Sequence, residues 1–213
     1  MGTFDLILQT GTNLHAYAEP DEFIAEYTAV IRYTRERDSK VSRVGKLHAY
    51  RLHADLALNH GESLFDVCDA HSVGLQQLYT ALYEPDEEHF KKRIVDQFEA
   101  MHSDCLFIDY VVLNPRWRGL RLGLLALRKF IDLAGGGCGL TVTHIRPLDP
   151  DAQTSLNVPA SWLPCHDRKE AMRKLRSHIK QLGFERINRT PYHGLSMAKL
   201  TPTIADLLRA RDA

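Results

Sequence analysis

The sequence lacks long apolar runs and lacks an excess of charge of either sign. No stretch approaches the roughly 18 consecutive apolar residues of a membrane-spanning helix, and residues 1–5 lack the basic segment that begins a signal peptide. The 27 Lys and Arg residues balance the 27 Asp and Glu residues, so nothing indicates a basic surface for nucleic acid or anionic lipid. We expect a cytoplasmic protein with no nucleic-acid partner and no membrane partner.

Cysteine is also scarce, which argues against a disulfide framework. The cysteines are widely separated, as is typical of reduced thiols; they are Cys68, Cys105, Cys138 and Cys165. Cys68 and His71 have the spacing of two metal ligands, but no second pair follows, and a zinc site needs three or four ligands. We therefore expect no metal. Several histidines are interpreted as lining a polar surface or an amine-binding pocket: His48, His53, His60 and His71.

Signatures of other site classes are missing as well. The sequence contains no Gly-x-x-x-x-Gly-Lys-Ser/Thr loop, no Gly-x-Gly-x-x-Gly after a strand and no Ser/His/Asp order that would favour a hydrolase. The glycines at 135–137 fit a helix end and turn. With 44% hydrophobic and 25% charged residues, the 213-residue chain is typical of a single globular domain over residues 1–213, of which 1–20 are weakly defined.

One stretch, residues 104–137, has a clear local pattern of strand, turn and helix. Residues 105–113 are almost continuously apolar, β-branched or aromatic, which predicts a strand buried on both faces. Apolar residues then recur at helical spacing as far as Ala134, which predicts a helix beginning near Leu122. The unpaired N–H groups and the positive dipole end of that helix favour a phosphate in the turn before it.

The residues of this turn suit an anion. Gly119 and Gly123 carry no side chain, so a ligand can approach the backbone, and Arg118 and Arg121 add positive charge. The turn resembles the signature Arg/Gln-x-x-Gly-x-Gly/Ala of the GNAT superfamily of acyl-CoA-dependent N-acyltransferases, with a similar lead-in from Leu113 to Trp117. The six corresponding positions are Arg118, Gly119, Leu120, Arg121, Leu122 and Gly123. The resemblance continues at residues 181–184, Gln-Leu-Gly-Phe, and so covers residues 104–200.

This resemblance implies a fold, a co-substrate and a reaction. The implied fold is α/β (α+β), with a central mixed, mostly antiparallel sheet of about six or seven strands flanked by helices. The implied activity is transfer of an acetyl group from acetyl-CoA to a small-molecule or peptide amine, and a homodimer is allowed. Residues 104–200 would be the CoA-binding core, with the pyrophosphate on the amides of residues 120–123 and pantetheine paired with the main chain at Leu113. The fifth strand would part from the fourth to admit that arm.

The turn departs from the family pattern at one position. Arg121 stands where the family has its central glycine. Either the pyrophosphate sits differently in this chain, or the arginine side chain points away from it. The alternative function is a GNAT-like acyl-CoA-binding or regulatory module without catalysis.

Two residues are the candidates for catalysis, Asp109 and Tyr192. Asp109 is the only charge in an apolar strand, so it must be paired, face a cavity or shift its pKa upward. It would be a general base, an amine-binding group or a structural acceptor. The resemblance implies a tyrosine that protonates the thiolate, but Ile179 occupies its position, and the neighbouring His178 points about 100° away around the helix. Tyr192, His193 or solvent could replace it.

Outside this stretch, hydrophobic periodicity predicts alternating strands and helices. Strands are predicted at 23–35, at 41–59 as one long strand or a bent pair, at 140–145, and in a hairpin at 184–187 and 192–200. Helices are predicted at 62–83 with an interruption allowed at Gly74, at 86–100, at 167–182 with Asp167 as N-cap, and at 204–209. Residues 148–166 form a long loop, in which Trp162 and Leu163 indicate an ordered cover.

Overall fold

Seven strands and seven helices make up the described part of the structure, a computed structural model that describes residues 2–11, 20–85, 87–146, 148, 156–163 and 168–209. The strands are β1 (Gly2–Thr10), β2 (Ile24–Arg35), β3 (Val41–Leu52), β4 (Cys105–Leu113), β5 (Leu140–His144), β6 (Glu185–Arg186) and β7 (Tyr192–Ser196). The helices are α1 (Ala54–His60), α2 (Leu64–His71), α3 (Val73–Leu82), α4 (Lys92–Phe98), α5 (Leu122–Ala134), α6 (Arg168–Lys180) and α7 (Ile204–Arg209). Short 3-10 turns cover Pro20–Phe23, Pro115–Trp117 and Ala160–Trp162.

The strands form one sheet in the order β1-β2-β3-β4-β5-β7-β6. Every neighbouring pair is antiparallel except β4 and β5, which are parallel. The predicted fold class is therefore confirmed: the sheet is mixed and mostly antiparallel, it has seven strands, and helices flank it in a GNAT-like α+β arrangement.

The core lies in two layers, one on each face of the sheet. Helices α1–α4 cover one face and contribute Leu64, Leu78 and Ile94 to its core, together with Cys105 and Phe107 of β4. The other face is covered by α5, α6 and α7, which pack on Leu106 and Ile108 among others. Because successive side chains of a strand point to opposite faces, burial of both faces explains the unbroken apolar sequence of β4.

A β-bulge interrupts β4 in its middle. Ile108 pairs with Ala49 and Tyr110 pairs with His48, so Asp109 is an extra residue without a partner in β3. A bulge of one residue shifts the alternation of side chains beyond it. Tyr110 consequently lies on the same face as Phe107, where its ring stacks on His48, while Val111 packs toward α5.

Several predicted boundaries are wrong. The strand predicted to reach residue 59 ends at Leu52, and α1 follows it. The helix predicted over 62–83 is two helices that break at Ser72 rather than at Gly74, and the helix predicted over 86–100 covers only residues 92–98. Strand β1, which the sequence did not predict, pairs with β2 along its whole length.

The structure describes three of the cysteines, and it gives the length and apolar character of the helices. Cys68, Cys105 and Cys138 are free and buried, and Cys138 lies in the turn before β5 rather than in a strand. Cys165 and the expected N-cap Asp167 lie outside the described residues. None of the helices in the described ranges has the length and apolar character needed to cross a membrane.

The loop predicted over 148–166 is described chiefly at residues 156–163. Trp162 and Leu163 are buried there, in a cluster with Tyr110 and Val112 of β4. Lys46 and Arg43 hold the same segment by donating to the carbonyls of residues 156 and 157. This part of the loop is an ordered cover over the end of β3 and β4, as the two apolar residues indicated.

Candidate functional site

The turn between β4 and α5, residues 118–123, contains two residues with positive φ. Gly119 has a φ of +79°, and Arg121, the N-cap of α5, has a φ of +57°. Arg121 thus occupies the left-handed region that normally favours glycine. This is the position at which the GNAT signature has its central glycine, and the chain keeps the glycine-like conformation with an arginine in its place.

Several amides of this turn are unshared. The N–H groups of Gly119, Leu120, Leu122 and Gly123 donate no hydrogen bond to any residue that the structure describes, whereas the Arg118 N–H bonds to the carbonyl of residue 115. A Cβ added to Gly119 would meet nothing within 4 Å, and one added to Gly123 would come within 3.4 Å of Leu113 Cδ1. The turn is therefore open to a ligand oxygen at the places where such amides would bind it.

Both arginines of the turn bind backbone carbonyls. Arg118 donates to the carbonyl of Leu113, through Nε at 3.1 Å and Nη2 at 3.0 Å, and also to that of Trp162. Arg121 Nη1 donates to the carbonyl of Leu207 in α7 at 2.9 Å. The Leu113 carbonyl, expected to pair with pantetheine, is thus already engaged, and the edge of β4 that remains for such pairing lies at residues 109–112.

The left-handed conformation of Arg121 predicts a difference between two substitutions. Arg121→Ala and Arg121→Gly both remove the bond to Leu207, but only alanine keeps the strain of a side chain at positive φ. We expect the glycine variant to be more stable by about 1 kcal/mol. Urea unfolding of the two variants measures this difference in the free energy of unfolding, and equal stabilities would contradict the strain at this residue.

Strands β4 and β5 diverge halfway along β4. Their pairing runs from Cys105 and Leu140 to Ile108 and Thr143 and stops there. The Thr143 hydroxyl donates to the Ile108 carbonyl at 3.0 Å, and the Arg146 N–H bonds back to the His144 carbonyl, so β5 turns away. The splay that the family resemblance implies is present, and it begins at the bulge.

A cleft of about 140 Å³ lies at the point of divergence. Both candidate catalytic residues, Asp109 and Tyr192, line it. The other described lining residues come from β3, β4, β5 and the α3 region; they are Tyr50, Ser72, Gly74, Leu75, Gln77, Phe107, His144 and Arg146. The turn at residues 118–123 and this cleft lie at the two ends of residues 109–113 of β4. This segment pairs with β3 but has no partner on its β5 side in the described structure, and it spans about 13 Å.

Asp109 is held by two cations at the cleft wall. His48 Nδ1 lies 3.3 Å from its Oδ2, and Arg146 Nη2 lies 3.2 Å from its Oδ1. The second ring nitrogen of His48 lies 2.7 Å from Glu26 Oε1. A neutral imidazole can donate from only one nitrogen, so two carboxylates at these distances favour the imidazolium.

The pKa values of this cluster shift as the contacts require. Burial alone would lower the pKa of His48, but hydrogen bonds and charge from Asp109 and Glu26 raise it overall. Burial alone would raise the pKa of Asp109, yet His48 and Arg146 lower it overall. Desolvation raises the pKa of the neighbouring Tyr50 to about 12. The cluster therefore keeps Asp109 ionised and Tyr50 protonated at neutral pH.

These shifts predict how stability depends on pH. A histidine whose pKa is raised by folding stabilises the protein below its unfolded pKa of about 6.5 and loses that contribution as the pH rises through the folded pKa. The difference in free energy of unfolding between the wild type and His48→Gln should therefore shrink from pH 6 to pH 9. Denaturant unfolding at each pH measures it, with exposed His102→Gln as the control. A difference that stays constant would show that folding does not raise the pKa of His48.

The candidate proton donors lie on different faces of the sheet. Tyr192 is buried at the cleft, its ring lies beside His144, and desolvation raises its pKa, so its phenol is protonated. His193, the next residue of β7, points to the other face of the sheet by strand alternation. Ile179 is buried in the core between α5 and α6, on that same opposite face. Among the described residues, Tyr192 alone of the proposed donors reaches the cleft.

Sequence reasoning missed three polar contributors to the cleft region. Glu26, Arg146 and Tyr50 were not singled out, and His48 was named only as one of several histidines. The only local signal was the run of β-formers in β2, and a glutamate within it is unremarkable on a half-exposed strand. Their association depends on the register of β2, β3 and β4, which no short motif encodes.

The described residues contain no group of three or more His, Cys, Asp or Glu side chains that could hold a metal ion. Comparisons with protein-family models, with curated proteins and with solved structures gave no significant match to this chain. The GNAT resemblance thus remains a prediction from the motifs, while the fold class is established by the sheet itself.

Proposed function

We propose that this protein is an acyl-CoA-dependent N-acyltransferase that transfers acetyl from acetyl-CoA to an amine. The observation that carries the proposal is the geometry of β4: its edge beyond Ile108, which is not paired with β5, connects a turn of unshared amides to a cleft lined by Asp109 and Tyr192. A thioester with a diphosphate at one end and an acyl group at the other needs both features on one line. A cytoplasmic location belongs to the same proposal.

The residues of the turn fit a diphosphate. The amides of Leu120, Leu122 and Gly123 would donate to its oxygens, with the positive end of α5 behind them. The edge of β4 at residues 109–112 would pair with the pantetheine amides. Acetyl-CoA would thereby supply the activated acyl group, and the protein would align it with the amine.

In the cleft, the acceptor amine attacks the thioester carbonyl carbon, a C–N bond forms and the C–S bond breaks. An ammonium with a pKa of about 10.4 must first lose a proton, which at pH 7 costs roughly 4 to 5 kcal/mol. Asp109 is the group that accepts this proton or orients the amine. The Tyr192 phenol donates a proton to the departing thiolate, and solvent returns it.

One observation favours the alternative, an acyl-CoA-binding module without catalysis. Asp109 is already engaged by His48 and Arg146, and its lowered pKa makes it a weak base. In such a module the turn would still bind CoA, but no amine would be acetylated.

Release of free CoA thiol separates the two functions. Acetyl-CoA is incubated with the protein and a panel of amino acids, polyamines, aminoglycosides and peptides. We expect thiol release that requires both the protein and an amine. Thermal stabilisation by CoA without turnover of any amine would favour the module. Absence of stabilisation at high CoA concentration would exclude both functions, since ligand at 100 times its dissociation constant contributes about 2.7 kcal/mol.

A further inference from the structure

The charged groups of the cleft are few and they face each other. Of the described side chains that line it, Asp109 is the one acid and Arg146 the one permanent cation. The His144 imidazole beside them is kept neutral, because burial and the charge of Arg146 lower its pKa. The cleft thus presents one negative and one positive group at its mouth.

The two groups differ in how firmly they are held. Asp109 is fixed from behind by His48, which Glu26 holds in turn, and its side chain is only 21% exposed. The Arg146 side chain is 55% exposed, and in the described part of the chain its only ion pair is with Asp109. The charges of Glu26, His48, Asp109 and Arg146 cancel, so an added ammonium would meet a neutral cluster and compete with Arg146 for Asp109.

An acceptor with its own carboxylate avoids this competition, because it supplies a partner for Arg146 as well as for Asp109. From this pairing we infer that the acceptor is a free amino acid, with its amine on Asp109 and its carboxylate on Arg146. This inference rests on the proposed function and narrows the acceptor class. A volume of about 140 Å³ is close to the roughly 150 Å³ of a cavity that holds benzene, so the side chain is compact and packs on Phe107, Leu75 and Tyr50.

The ion pair between Asp109 and Arg146 also affects how well Asp109 accepts a proton. Arg146 lowers the basicity of Asp109 as long as its charge is directed at that carboxylate. A substrate carboxylate bound to Arg146 neutralises this charge and makes Asp109 a better proton acceptor. Amino acids should therefore exceed simple amines in kcat as well as in binding.

Matched acceptors test the inference. Phenylalanine, its amide and phenethylamine share a side chain and differ in the carboxylate, as do leucine, leucinamide and isoamylamine. With acetyl-CoA saturating, we expect kcat/KM for each amino acid to exceed that of its two neutral analogues by about 10- to 100-fold, the range of a charge-assisted contact. Equal turnover of amino acids and simple amines would overturn the inference and leave acyl transfer itself intact.

Substitution of Arg146 is the second test of the proposed carboxylate contact. Arg146→Gln should lower kcat/KM for phenylalanine by about 10- to 100-fold and leave phenethylamine unchanged or improved, because Asp109 loses its competitor. Arg146→Lys should restore part of the preference, and Arg186→Gln, on the exposed strand β6, is the control. An equal loss for both acceptors would contradict a carboxylate contact.

A binding measurement keeps the inference testable without turnover. If no amine is acetylated, the proposed function fails. Calorimetry of phenylalanine with the wild type and with Arg146→Gln still decides whether the cleft binds an amino acid through Arg146. Binding that is present in the wild type and at least tenfold weaker in the variant supports the amino-acid site. Absence of binding to the wild type overturns it.

Discussion

Gly123→Asp is expected to abolish CoA binding and at the same time to make the free protein slightly more stable. The unshared amides at the start of α5 are the proposed diphosphate site, and an aspartate among them places a negative charge against the phosphates. The same charge is favourable for the helix itself, because acids in the first turn interact well with the dipole. Aspartate also has a higher helix propensity than glycine.

Gly123→Asp should therefore raise the free energy of unfolding of the free protein while it removes CoA binding. The free variant should gain about 1 kcal/mol in the free energy of unfolding, since a Cβ at this position stays 3.4 Å from its nearest neighbour. The CoA-induced rise in melting temperature should disappear. Gly136→Asp, at the far end of α5 about 20 Å away and with open space around its Cβ, is the control that keeps the CoA response. A response to CoA that survives Gly123→Asp would place the nucleotide elsewhere.

Asp109→Asn is expected to reduce turnover by about 10²- to 10⁴-fold, the range for removal of a general base. The amide keeps the size of the side chain, but it has a single acceptor oxygen for His48 or Arg146, and it cannot accept a proton. The turn at residues 118–123 begins beyond Leu113, which is itself about 13 Å along the strand from this residue, so CoA binding should change little. A loss confined to the KM of the amine would instead identify Asp109 as an amine-binding group.

The control for Asp109→Asn is a buried aspartate outside the cleft. Asp104 accepts from Arg51 at 2.9 Å at the beginning of β4, so Asp104→Asn also breaks an ion pair and should cost stability. Its turnover per folded molecule should equal that of the wild type. Thiol release and CoA titration are measured for both variants at a temperature where both are folded, and unchanged kinetics of Asp109→Asn would remove the residue from the mechanism.

The best-predicted part of the fold is the part whose structure is decided locally. The bounds of β4 and the first residue of α5 agree with the sequence prediction, because the apolar run, the Asn-Pro stop and the helical period all act within a few residues. The terminal helix α7 is likewise predicted at its observed bounds. Both candidate catalytic residues also line the cleft.

The errors have identifiable physical causes. The partial alternation that predicted a strand to residue 59 included His53 and Asp55, but α1 begins at Ala54 with His53 as its N-cap. The first strand is an edge strand with little burial, so its sequence carries only weak periodicity, and pairing with β2 is what orders it.

The arrangement of the site could be predicted only in part. An isolated aspartate in an apolar strand signals a pairing or a cavity, but its partners come from β2, β3 and the end of β5. Whether these residues meet depends on the strand register and on the one-residue bulge at Asp109. A single shifted residue would turn the aspartate to the other face, and nothing in the local sequence encodes the bulge.

The labelling rate of the three buried cysteines can report how often the sheet opens. Desolvation raises the pKa of Cys68 to about 12 and that of Cys138 to about 11, and Cys105 is also fully buried. Because the thiolate is the reactive form, these groups should be inert to an aromatic disulfide reagent while the protein is folded. Each becomes labelled only when its segment opens, so the rate of colour development in dilute denaturant reports how often β4 and its neighbours separate.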